Sequence, residues 1–399
     1  MRDLRIQLGE VCDVTDGTHY TPPDTGGPYP FLTVKDMTED GLAFADCSFV
    51  SASEFDNAKK VGACPETGSV LFSKDGTVGK VHVVGNERPF AALSSIAILR
   101  PDKRRLNSRF LGYALKSSDV LKDAVNRKTG SALQRIILAD LKKVAIPLPS
   151  LQEQQRISSQ LYEADMLYRV RRYTLELGDT LLPAAFVTMF GDPVVNPMQW
   201  KKERIGSICT IKRGASPRPI EKFLGGTIPW IKIGDGTKGD QIYLTSTEEH
   251  VTTEGASKSV FLKSGSLIFA NCGVSCGFAR LLKIDGCIHD GWLAFEDFES
   301  SLHPIFFLKA INQITLYLRS LAPEGTQPNL NTGIMSDFEI IVPSFSRQQE
   351  FANIVEQEER LLHVQREALR QAEHLFQSLL HDAFGTETVP HAASKAHAV

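Results

Sequence analysis

No stretch of this chain is apolar for the roughly 18–20 residues that a membrane span needs. Neither charge sign dominates: 44 Lys and Arg stand against 47 Asp and Glu, a formal net charge of -3. That balance carries no global nucleic-acid signature, although a DNA footprint can be local. Local basic clusters do occur, at Arg100–Arg105, Lys122–Lys128, Lys201–Arg204 and Lys212–Arg218. Cysteine is sparse and odd in number, with seven scattered thiols (Cys12, Cys47, Cys64, Cys209, Cys272, Cys276, Cys287). In a chain of 399 residues this reads as reduced, mostly buried thiols rather than a disulfide framework. The start MRDLRIQLGE lacks the apolar core of a secretory signal, so the expected location is the cytoplasm.

The usual catalytic motifs are missing as well. There is no GxxxxGK[ST] phosphate loop, no HExxH, no DPPY or NPPY tetrad and no Glu-x-Lys triplet. Gly234 to Gly239 satisfy GxGxxG, but the following DQIYLT reads as a strand and not as the helix a pyrophosphate site needs, so a glycine-rich hairpin loop is expected. Cys272, Cys276, Cys287 and His289 do not have the tight spacing of a structural zinc site, and no metal is expected.

What the chain does have is a repeat. LGEVCDVTDG (Leu8 to Gly17) matches IGSICTIKRG (Ile205 to Gly214), PFLTVKD from Pro30 matches PWIKIGD from Pro229, and GSVLFSKDG from Gly68 matches GSLIFANCG from Gly265. TGSALQ near Gly130 finds EGTQPN near Gly325, and each precedes an apolar run that closes in proline, at Pro147 and Pro343. Each run leads into a helical segment with apolar residues seven apart: Leu161, Tyr168, Leu175, Leu182 and Met189, then Val355, Leu362, Leu369, Phe376 and Ala383. A single offset of 194 relates the two series, and also carries Gln154-Gln155 to Gln348-Gln349 and Phe190-Gly191 to Phe384-Gly385.

A seven-residue period held over five heptads favours a helix–helix seam over simple packing of each helix on its own half. Gly178 and Pro183 interrupt the first segment, where a bend is expected but not an end. The halves themselves read as short strands and turns with helices at Ser108 to Val125 and Pro304 to Ser320. The expected architecture is therefore α+β, as an internal repeat with pseudo-two-fold character: two similar domains separated by two long antiparallel coiled-coil helices. The boundaries fall at residues 1–149, 150–192 (first helix), 193–345, 346–386 (second helix) and 387–399, a tail expected to be disordered.

Two similar domains on a rigid spacer suit an extended ligand with two sites. A helix of about 40 residues is about 60 Å long, and duplex DNA repeats every ~34 Å, so DNA fits geometrically. PFLTVKD, GSVLFSKDGTVGKV and GSALQRIILADLKKVAIPLPSLQEQQRI, followed by a heptad helix ending in MFGDP, closely resemble the specificity subunits of type I restriction–modification systems. The second half repeats the series as PWIKIGD, GSLIFANCGVSCGFA, GTQPNLNTGIMSDFEIIVPSFSRQQEF and a helix ending in AFGT, so the resemblance spans about Leu4 to Thr386. Ser346-Arg347 stands where the first half has Gln152-Glu153, and Cys272 and Cys276 interrupt the glycine-rich turn.

The resemblance implies a non-catalytic subunit. Each half would be a target recognition domain reading one part of a split sequence in double-stranded DNA. The helices would act as a ruler and dock two methyltransferase subunits, with restriction/translocase subunits joining the complex. S-adenosylmethionine, ATP and Mg would then be bound by those partners, not by this chain. Two other readings stay open: the recognition module of a related combined restriction–modification enzyme, and a coiled-coil scaffold carrying two protein-binding domains.

Base readout needs Arg or Lys for guanine and Asn or Gln for adenine, while hydroxyls and amides position phosphates. The paired candidates are Thr18, His19 and Tyr20 against Lys212, Arg213, Ser216 and Arg218, in the loop after the first strand. Next come Lys35 and Lys232 at strand ends, and Ser73, Lys74, Lys80 and Asn271 in turns. The last set is Lys128, Ser131 and Gln134 against Thr326, Gln327 and Asn329.

Overall fold

The structure, a computed structural model, describes residues 5–127, 135–238, 242–273, 275–321 and 329–385. The expected tail lies outside these residues. The chain divides into two compact units, residues 1–173 with 366–399 and residues 174–365. Each takes one globular half and part of each long helix, Leu151–Phe190 and Phe345–Phe384.

In the first unit, alternating apolar residues build an antiparallel sheet in the order Cys12–Asp16, Ile96–Pro101, Val70–Ser73, Val81–Val83. A second sheet orders Ser48–Val50, Tyr29–Leu32 and Ala91–Ala92, the last pair parallel. The core lies where Val14, Val70, Phe72, Ala97 and Leu99 meet the helix Ser108–Lys116 through Phe110, Leu111 and Ala114.

The second unit repeats both sheets and adds a strand to each. Tyr243–Leu244 extends the sheet Thr210–Arg213, Trp292–Glu296, Leu267–Ala270, Ala279–Leu282, and Val260–Leu262 extends Glu249–Val251, Leu224–Ile231, Gly286–Ile288. In both units a short outer pair closes the chain: Arg5–Gln7 on Ala145–Pro147, and Lys202–Arg204 on Glu339–Ile341.

Each single helix expected from the pattern is in fact two. Ser108–Lys116 stops at Ser117, whose backbone is extended and whose hydroxyl donates to Ala114 O at 2.7 Å, and Ser118–Asn126 follows. Pro304–Gln313 gives way to Thr315–Ser320, because Asn312 accepts from Ala279 N (2.7 Å) and Thr315 donates to Gly277 O (2.7 Å). Side chains bound to a neighbouring strand outcompete helix continuation there.

The expected glycine hairpin is also corrected. Ile233–Gly236 form one helical turn, capped by Asp235, which accepts from Lys232 N at 2.8 Å. Asp36 caps Val34–Asp36 in the same way, accepting from Thr33 N at 2.7 Å. Gly239 lies outside the described residues.

The long helices pack on a globular half and on each other within each unit. In the first unit Leu161, Ala164, Phe376, Leu380 and Phe384 share a core with Phe110 and Tyr113, and the Phe110 and Phe384 rings lie 5.1 Å apart. In the second, Phe186 and Phe190 meet Phe351 at 5.4 and 5.5 Å, and Phe190 meets Phe306 at 4.9 Å. The beginning of one helix thus meets the end of the other. The first helix runs unbroken through Gly178 and Pro183. A Cβ on Gly178 would come within 2.7 Å of Leu362 Cδ2, so this glycine admits the facing helix closely. Of the seam residues, Leu161, Leu182, Val355, Leu362 and Phe376 are buried, while Tyr168, Leu175, Met189, Leu369 and Ala383 are half-buried.

The paired glutamines hold helix and domain together. Gln154 is fully buried; it accepts from Asn107 N (2.8 Å) and donates to Arg105 O and Pro149 O (both 2.9 Å). Gln348 does the same with His303 N (2.8 Å), Ser301 O (2.9 Å) and Pro343 O (2.7 Å). One amide therefore satisfies three backbone groups around the start of the helix and the cap of the next domain helix.

Candidate nucleic-acid interface

In each unit the sheet strands end at one corner, where three chain segments are tied by the same backbone bonds. Gly17 N donates to Ile96 O (3.2 Å) and Lys74 N to Ser95 O (2.9 Å). Gly214 N donates to Trp292 O and Asn271 N to Gly291 O, both at 2.9 Å. A Cβ on Gly17 would lie 2.0 Å from Ala92 O, and one on Gly214 2.2 Å from His289 O, so only glycine lets these segments approach.

On that shared backbone the side chains differ. In the first unit Lys74 is buried, with its ammonium 3.2 Å from Asp75 and 3.6 Å from Asp16. His19 lies exposed, 3.4 Å from Asp16. Thr18 is buried and donates to Tyr20 O at 2.8 Å, while exposed Tyr20 donates to the Glu54 carboxylate. That hydrogen bond pushes the Tyr20 phenol above its usual range. A cavity of about 520 Å³ opens beside them, lined by Asp16, Thr18, His19, Tyr20, Asn57 and Val61 among others. Ser73 is fully buried, donating to Thr77 O (2.6 Å) and accepting from Lys80 N (2.8 Å). Lys80 donates to Val34 O (3.3 Å) and Met37 O (2.6 Å), tying down the turn that carries exposed Lys35.

In the second unit the corner is built around Asp290. Its carboxylate accepts from Ser216 Oγ (2.9 Å) and the Arg218 guanidinium (3.2 Å), and lies 3.0 Å from His289 Nε2. Arg213 Nε donates to Asp290 O at 3.2 Å. His289 Nδ1 accepts from Gly291 N at 2.9 Å, which assigns the ring proton to Nε2, facing Asp290. Burial lowers the His289 pKa, against the pull of Asp290. Lys212 pairs with Glu296 (2.7 Å) and Lys232 with Glu249 (2.5 Å). Asn271 is fully buried and reaches exposed Asn329 at 3.4 Å.

The described candidates thus gather at two equivalent corners, but Thr18, Ser73, Lys74 and Asn271 are turned inward, and Thr18, Ser73 and Lys74 hold the first corner together. Lys128, Ser131, Gln134, Thr326 and Gln327 lie outside the described residues. Both corners are organised by acceptors, Asp16, Asp75 and Asp290, which stand outside the donor pattern of the sequence candidates. The buried side-chain atoms without a partner among the described residues include Asp75 Oδ1 and Ser95 Oγ at one corner, and Asn271 Oδ1 and Trp292 Nε1 at the other. Such atoms mark places where water or a ligand completes the bonding. Among the described residues no three His, Cys, Asp or Glu side chains converge as metal ligands, and no helix is long and apolar enough to cross a membrane.

Comparison with known proteins places the chain in a family. The type I restriction modification DNA specificity domain matches residues 5–167 and again residues 197–372. The chain belongs to that family. As a type I specificity protein it is 24% identical over 378 residues to the type I restriction enzyme MjaIX specificity subunit of Methanocaldococcus jannaschii, covering 88% of this chain and 84% of that one. A putative specificity subunit of Haemophilus influenzae, S.HindORF215P, is 28% identical over 164 residues, 41% of this chain and 40% of that one. The fold is that of the type I restriction–modification S subunit from M. genitalium, with a TM-score of 0.59 at 18% identity and 96% of each chain covered. A structure described as bearing on complex assembly and conformational transition of the type I system gives 0.57 at 17% identity, covering 95% of this chain and 97% of that one.

Proposed function

We propose that this specificity protein reads a split target in duplex DNA, one part with the corner of each unit, and docks two methyltransferase subunits through its long helices. The carrying observation is the contrast within the repeat. Backbone ties, glutamine clamps and glycines are the same in both units, whereas the corner side chains are different. A shared frame with divergent polar faces suits two recognition domains that read different bases.

Docking has separate support in the helices. The offset of 194 also pairs three exposed apolar positions: Leu167 with Leu361, Val170 with Val364, and Leu181 with Leu375. Exposed apolar side chains kept in both copies fit a partner that binds twice. S-adenosylmethionine, ATP and Mg would sit on the methyltransferase and restriction subunits, making the complex an adenine-N6 methyltransferase and an ATP-dependent endonuclease.

Methylome sequencing of the host with and without this gene tests the reading. The expected result is one bipartite motif, dependent on the gene, with adenines methylated on opposite strands. Exchange of the first half for that of a relative should change one part of the motif only. Change in both parts, or in neither, would sink the modular reading.

A further inference from the structure

The two exposed arginines of the second corner are not presented as ordinary surface cations. Arg218, 78% exposed, is held through its guanidinium by Asp290, and Arg213 is held by the carbonyl of the same residue. Asp290 is itself fixed by Ser216 and His289. This arrangement has a chemical consequence. A carboxylate beside an arginine cancels much of its attraction for a phosphate and would repel the phosphate directly. It leaves the guanidinium's remaining N–H donors available to a neutral acceptor, and it restrains a side chain that otherwise loses rotamer entropy on binding. Among base edges in the major groove, only guanine offers two adjacent acceptors, N7 and O6; adenine puts a donor beside N7.

From this geometry we infer that Arg218, with Asp290 as its positioning residue, reads a guanine in the part of the target met by the second unit. The inference rests on the duplex-reading function above. The matching positions of the first corner do not repeat the device: Thr21 stands in the place of Arg218 and Ser94 in the place of Asp290. The guanine contact therefore belongs to one half of the motif only.

The test uses the full chain assembled with its methyltransferase subunits, and a pool of duplexes randomised through both half-sites. Wild-type selection should return a bipartite motif with a guanine in the half-site assigned to the second unit by half-exchange. Arg218→Ala and Arg218→Lys should each lose discrimination at that guanine by on the order of tenfold or more, with the other positions unchanged. Asp290→Asn should weaken the same preference while keeping the arginine, and Asp290→Glu should restore part of it.

A uniform loss of affinity over all sequences, with the salt slope reduced by about one, would mark a phosphate contact and overturn the inference. An unchanged motif in all four variants would overturn it as well. If the wild type selects no bipartite motif, the duplex-reading function itself is wrong, and the guanine assignment falls with it.

Discussion

Where the first unit holds Asp16, Lys74 and Asp75, the second holds Arg213, Asn271 and Cys272, on segments joined by matching backbone hydrogen bonds. In the first corner the cation is buried and its charge is answered by two carboxylates. In the second the cations are exposed and share one aspartate. The backbone ties make no demand on the side chains, so these could diverge without loss of the fold. The difference separates two roles at equivalent corners. Lys74 belongs to the stability of its unit, whereas Arg218 stands exposed on the surface, held by Asp290.

The largest expected effect follows from that contrast. Lys74→Met leaves Asp16 and Asp75 without their lysine counter-charge in a half-buried site, which should cost the first unit about 3 kcal/mol. Asn271→Leu removes a side chain whose one bond is 3.4 Å long and whose Oδ1 has no partner among the described residues. Its cost should stay within about 1 kcal/mol. Chemical unfolding followed by hydrogen exchange in each unit measures both. Equal costs would break the comparison.

Much of the frame was legible in the sequence, because it is written in periodicity and in small residues. The constant offset located both helices, and the glutamine pair stood out although its task as a backbone clamp did not. The break at Ile314 was hidden, since it depends on Asn312 and Thr315 reaching Ala279 and Gly277 far along the chain. The one at Ser117 turns on a local bond to Ala114 O that periodicity does not show. The corners were half legible. The loops after the first strands could be named from their position in the repeat. That Lys74 is buried follows only from Asp16 being brought beside it, 58 residues away in sequence. Asp290 escaped notice because an acidic residue is no obvious partner for DNA until the arginines it holds are seen.

The glutamine clamps sharpen the other side of the comparison, where the units should behave alike. Gln154→Ala and Gln348→Ala each leave three backbone groups unpaired at the foot of a long helix. Partial rehydration of those groups limits the loss to about 2 kcal/mol in each case. Thermal unfolding with exchange read at residues 105–110 and 301–306 should show the same loss in both units, confined to the mutated one. A loss in one variant only would mean that the two helix starts are not equivalent.

The smallest effect concerns pH, where the units should part again. Burial lowers the pKa values of His289 and His303 below the ordinary 6.5. Asp290 opposes that shift at His289 while Arg218 and Lys232 add to it, and Glu356 opposes it at His303. The corresponding positions of the first unit, Leu93 and Asn107, do not titrate. As the pH falls below 6.5 the unfolded chain takes up protons that the folded second unit still refuses. The stabilisation present above 6.5 is therefore lost progressively as the pH drops toward and through the folded values. Between pH 7 and 5.5, hydrogen exchange should accelerate in the second unit relative to the first. His303→Asn should flatten part of that response. Asparagine already caps the matching helix through Asn107, which accepts from Arg109 N and Phe110 N as His303 accepts from Ile305 N. An unchanged response in His303→Asn would leave His289 as its source, and equal acid sensitivity in both units would contradict the buried-imidazole account.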